Sequence, residues 1–167
     1  MDTPVNAKIH GAFILLSFLI FFPIGIILLI IRYVLHAKYN HLRIRDYKIT
    51  GHALLTLFGL MMIILFSGTT SGRFAGFIGF FVLLVIPAII FYAVSSSLKK
   101  KMVTLYKMYY WLVIEQGNGS IAALSQSTGV SPDKVLEDIR YMIATGQLPN
   151  ASLNGSGNIV LLGQPPK

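Results

Sequence analysis

The residues with the most obvious chemical potential are four histidines, His10, His36, His41 and His52, in a chain with no cysteine. His36 and His52 flank neighbouring apolar runs, so together they could ligate a haem iron axially, and His41 lies between them. A metal site needs several convergent ligands, however, and neither an HExxH pattern nor a Cys/His spacing is present. Histidines at a membrane edge ordinarily meet water or headgroups. His36, His41 and His52 are therefore weak metal candidates, and the expectation is a protein without metal or cofactor.

Catalytic patterns are equally sparse. There is no glycine-rich phosphate loop, no Gly-x-Ser-x-Gly elbow and no pair of carboxylates in an apolar setting. The acids Asp133, Glu137 and Asp138 gather at the start of a predicted helix, where the helix dipole accounts for them. No Asp, Glu, Lys or Arg falls inside an apolar run, where Ser17, Thr56 and, near an edge, His52 are the polar groups of note. Ion and proton pathways usually need such groups. The chain reads as a non-enzyme, and as an accessory subunit sooner than a stand-alone transporter. Asn118-Gly-Ser120, Asn150-Ala-Ser152 and Asn154-Gly-Ser156 match glycosylation sequons, but Asn, Gly and Ser are also turn residues, and they read as turns.

Composition says where these residues must sit. The 167 residues are 54% hydrophobic and 12% charged, against about a quarter charged in soluble domains. Three apolar runs, at about 11–31, 49–67 and 74–94, read as transmembrane helices, since about 20 residues cross a hydrocarbon core. Pro23 is expected to kink the first without ending it, and that run reads as an uncleaved anchor rather than a signal peptide. The segment 32–48 reads as an interfacial loop or short amphipathic helix, with Arg43, Arg45 and Lys48 at lipid headgroups. Residues 67–72 read as a turn, and Gly72-x-x-x-Gly76 could let a second copy approach through the helices.

Charge placement sets the orientation. The net charge is +8, and most of it flanks the apolar runs. One basic residue precedes the first run (Lys8), five follow it, one follows the second (Arg73), and Lys99, Lys100, Lys101 and Lys107 follow the third. For three spans this alternation puts the N-terminus outside and the C-terminus in the cytoplasm. The expected compartment is a bacterial cell membrane, with Lys99, Lys100 and Lys101 on anionic headgroups.

The remaining chain divides into a connecting helix at 98–116 and a small module at 117–167 with a flexible tail. Leu98, Met102, Leu105, Tyr109 and Leu112/Val113 form one apolar stripe. Ser120 caps a short helix at 121–127, and Ser131-Pro132-Asp133 starts a second that buries Val135, Ile139, Met142 and Ile143 and stops at Gly146. Residues 147–149 and 158–162 read as two short strands around a Gly/Asn/Ser-rich tip.

This order resembles the winged helix-turn-helix family. The resemblance rests on Ile121-Ala122-Ala123-Leu124, Gly129-Val130-Ser131, Val135 to Ile139, Met142-Ile143 and Gly146 before a strand pair, and covers residues 108–162. It implies a mainly α chain ending in an α+β module, and either DNA reading or protein contact as its role. DNA readers present a basic third helix. Here that helix carries Asp133, Glu137 and Asp138 against Lys134 and Arg140, and the tip 150–157 has no basic residue. The sequence thus favours a protein-interaction scaffold or regulatory subunit, with Asp133, Lys134, Glu137, Asp138, Arg140 and Asn150 as contact residues. A membrane-tethered DNA-binding regulator is the alternative, and a haem- or metal-bearing membrane subunit the second.

Overall fold

The structure is a computed structural model that describes residues 9–67 and 73–163. Expectations about Lys8, the turn at 68–72, Gly72 and the C-terminal tail from 164 lie outside those residues. The described chain is mainly helical and separates into two compact units. Of the described residues, one comprises 9–37 and His41–Lys99, without 68–72; the other comprises Lys38–Asn40 and 100–163.

In the first unit the expected first span is broken. Helix α1 is Gly11–Ile20 and α2 is Phe22–Leu35, separated by Phe21 in an extended conformation (φ −154°, ψ 92°). The cause is Pro23, which lacks an N–H and whose ring would collide with the carbonyl four residues back in a continuous helix. Giving up Phe21 puts Pro23 in the first turn of α2, where its missing N–H costs nothing. The break turns α2 back along α1. The Phe18 ring packs so closely on Gly25 that a Cβ there would lie 2.4 Å from it, and at the open end the Arg32 guanidinium donates to the Ile9 carbonyl. The result is an antiparallel helical hairpin. Its legs of 10 and 14 residues reach about 15 and 21 Å, short of a hydrocarbon core of about 30 Å.

Helix α3, Asn40–Ser67, starts well before its apolar run, so Arg43, Arg45 and Lys48 lie on its first turns and not in a loop. Next come α4 (Arg73–Phe80), a π-helical turn (Phe81–Val85), α5 (Ile86–Tyr110) and a second π turn (Trp111–Glu115). They form one helix of 43 residues. The first wide turn precedes Pro87 and absorbs the hydrogen bond that proline cannot make. Among the described residues Asn40–Ser67 and Arg73–Glu115 are the two helices long and apolar enough to cross a membrane, where three spans were expected. Ile14, Phe18, Ile49 and Ala53 form this unit's core. Gly76 faces Leu65 of α3, so it packs within this unit.

The second unit is built on the C-terminal part of α5. Tyr106, Tyr109, Leu112 and Val113 bury the predicted stripe against α6 (Ile121–Thr128) and α7 (Pro132–Ala144), through Ile121, Leu124, Val135, Ile139 and Met142. Ser120 caps α6 by accepting from the Ala123 N–H at 3.5 Å, and Gly129 ends it at φ +67°. Ser131 occupies the cap position of α7 but makes no side-chain cap bond, while Pro132 stands at the first helical position as expected. Strand β1 is Ala151–Leu153, later than the expected 147–149, because Asn150 (φ 59°) turns the chain first. It pairs antiparallel with β2, Val160–Leu162, with Ser152 opposite Leu161. Ser120 bridges Ile159 beside β2. Gly119 permits that approach, since a Cβ there would lie 2.3 Å from the Val160 carbonyl oxygen.

Candidate functional site

Two places gather functional side chains. The first is the face of the second unit formed by α7 and the β1–β2 hairpin. Asp133 and Lys134 are exposed on the first turn of α7. One turn on, the Arg140 guanidinium donates to Glu137 Oε1 at 2.9 Å. Asn150 is exposed at the entrance to β1, where its carbonyl accepts from the Gly163 N–H at 2.6 Å. Asp138, expected on this surface, is 2% exposed and belongs to the interior. Tyr106 Oη donates to its Oδ1 at 3.1 Å and Asn40 Nδ2 to its Oδ2 at 3.0 Å. Burial pushes this carboxyl up to about 6, with the Asn40 and Tyr106 hydrogen bonds and the Lys134 charge pulling the other way.

Removing Asp138 from the surface changes its charge. What remains on α7 is two acids, Asp133 and Glu137, and two bases, Lys134 and Arg140, of which Asp133 and Lys134 are exposed and the Glu137–Arg140 pair half-buried. On the hairpin, Ile159, Leu161 and Leu162 are each 45–49% exposed, with Ile159 and Leu161 on one face of the strand and Leu162 on the other. Sequence reasoning passed over these three. For Ile159 and Leu161 the signal was the alternation of a strand, which buries Val160 between them; Leu162, on the face of Val160, is exposed with no such signal. The sequon asparagines serve as turns. Asn154 Oδ1 accepts from the N–H groups of Asn158 and Ile159 at 2.8 and 3.1 Å, and Asn118 Oδ1 from that of Ser120 at 3.4 Å.

The second place is a polar cluster in the first unit. Asp46 on α3 binds Arg32 Nε at 2.5 Å through Oδ1 and His36 Nδ1 at 2.8 Å through Oδ2. Arg32 and Asp46 are fully buried and His36 is 2% exposed. Arg32 and His36 stand four residues apart and so share a face of α2 and its C-cap, from which both reach the one carboxylate. Arg32 Nη2 and His36 Nε2 have no partner among the described residues. The expected loop charge at Arg32 is thus an internal clamp, joining Ile9 before α1, α2 and α3.

The candidate metal ligands are dispersed. His36 is committed to Asp46, whereas His52 Nδ1 pairs with Tyr92 Oη at 2.8 Å. Among the described residues no three His, Asp or Glu side chains converge on a point that could hold a metal ion. Arg45, Lys48, Lys99, Lys100 and Lys101 are exposed and Arg43 is half-buried. Comparison of the chain with protein-family models, with curated proteins and with solved structures gives no match.

Proposed function

We propose that this protein is a non-enzymatic, membrane-anchored interaction module, serving as a scaffold or regulatory subunit of a membrane complex. The single observation that carries this reading is the surface chemistry of α7 and the hairpin. The charges of α7 balance, its one arginine is engaged by Glu137, and the hairpin exposes apolar Ile159 and Leu161 where a nucleic-acid reader needs cations. The order of α5, α6, α7 and the β1–β2 hairpin, with glycines ending α6 and α7, supports a winged helix-turn-helix arrangement.

Anchoring by α3 and the Arg73–Glu115 helix is supported by the apolar side chains these helices turn outward, among them Ile63, Ile64, Phe66, Phe74 and Leu83, each at least 60% exposed. A soluble protein rarely leaves so much contiguous apolar surface in water. With Lys99, Lys100 and Lys101 at the cytoplasmic headgroups, each basic residue contributes about 1 kcal/mol of attraction to anionic lipid. The same basic cluster supports a cytoplasmic C-terminal module.

A photo-reactive residue at Leu161 is expected to cross-link one discrete partner protein in native membranes. Leu161→Asp with Asp133→Lys should weaken that complex roughly 30-fold, about 2 kcal/mol at an interface hot spot. Both positions are exposed, so Trp111 emission should stay unchanged. Retention of the partner by the double variant would refute the assignment of this face.

A further inference from the structure

We propose that the α1–α2 hairpin is a re-entrant wedge seated in the acyl chains of one leaflet, the leaflet on the side of Lys99, so that the chain crosses the membrane twice. This rests on the membrane reading given above. Both legs are too short to cross, and Phe21 and Phe22 at their turn are about half exposed, with no polar group to meet water on a far side. Phe13, Leu16, Ser17, Ile20, Phe21 and Ile24 line an open, mainly apolar recess of about 230 Å³ beside the turn, in which the Ser17 hydroxyl already donates to the Phe13 carbonyl at 2.8 Å. That surface suits acyl chains, which demand no hydrogen bonds.

The open end of the hairpin is polar and is fixed at one level of the unit. Arg32 binds Ile9 and Asp46. Close by along α3, the Ile44 carbonyl accepts from Ser95 Oγ at 2.9 Å, which sets that level four residues before Lys99. Ile9, Arg32, Asp46 and Ser95 therefore lie on one side of the unit, and Ser67 at the far end of α3 lies on the other. Charge agrees. With a re-entrant hairpin, Lys8, Lys38, Arg43, Arg45, Lys48 and Lys99 to Lys101 all flank one side, and Arg73 alone flanks the other. The positive-inside rule is satisfied better than with three spans, which would leave Lys8 outside with Arg73.

The absence of cysteine makes the test direct. Full-length chains carrying His10→Cys, Ser67→Cys or Gln126→Cys would be expressed in cells and probed with a membrane-impermeant maleimide, before and after the membrane is opened. Alkaline carbonate extraction of the same membranes is run alongside. The wedge predicts that Ser67→Cys labels in sealed cells, whereas His10→Cys and Gln126→Cys lose all labelling until the cells are opened. Labelling of His10→Cys together with Ser67→Cys in sealed cells would overturn the wedge while leaving the membrane reading intact. Release of the chain by carbonate would overturn both.

Discussion

Replacing Asp46 by leucine is expected to destabilise the first unit by about 3–5 kcal/mol, the usual effect of stranding a buried charge. Among the described residues Asp46 is the anion paired with Arg32, and both are fully buried. Its loss leaves the guanidinium with the Ile9 carbonyl alone and releases His36 as well. Arg32→Met should do comparable damage by stranding Asp46. The double variant Arg32→Met with Asp46→Leu should recover most of the loss, because neither charge remains to be solvated. Titration of the purified chains with SDS, followed by far-UV circular dichroism, reads all three. A single variant as stable as the parent would show that the clamp is not needed to close the hairpin on α3.

The second large effect concerns pH. Asp138 titrates near 6 in the folded module and at 3.8 when unfolded. The folded state therefore holds the proton more tightly, and the resulting stabilisation is fully present below pH 3.8. It is lost as pH rises through about 6. A shift of about two units corresponds to about 3 kcal/mol. Asp138→Asn keeps an acceptor for Tyr106 and removes the titration, so its unfolding free energy should lack this part of the slope between pH 4 and 7. Urea unfolding of the full chain in lipid nanodiscs, followed by the emission of its single tryptophan, Trp111, measures the difference. Parallel pH profiles for the two chains would show that Asp138 ionises freely.

Much of the architecture was legible because it depends on local rules. The stripe from Leu98 to Val113 marked the helix that buries it, though not its fusion with the third apolar run into one helix of 43 residues, and Ser120, Pro132, Gly129 and Gly146 marked the ends of α6 and α7. The broken first span was visible in Pro23 but misread. Hydropathy measures only whether a segment is apolar, and the choice between kink and hairpin depends on what packs across it, here Phe18 on Gly25. The clamp was illegible, since Arg32 and Asp46 are joined by a turn whose geometry no periodicity encodes.

Asp138 is more instructive. It stands three residues after Val135 and four before Met142, on the buried stripe of α7, yet its charge led to its assignment to the surface. Spacing was the better guide than polarity, because Tyr106 and Asn40 supply the hydrogen bonds that let a carboxyl enter the core. The first strand was misplaced for a related reason. Leu148 is apolar and buried but belongs to the turn that Asn150 completes at φ 59°.

The central claim, that α7 and its hairpin meet a protein and not a phosphate backbone, is tested most directly by fluorescence anisotropy. The full chain in nanodiscs of zwitterionic lipid is titrated into labelled mixed-sequence duplex DNA at low and moderate salt. The account predicts that no binding depends on α7, so that the parent and Lys134→Glu give the same curve at every salt concentration. Micromolar binding with a steep salt slope, lost on Lys134→Glu, would contradict it and make the module a DNA reader.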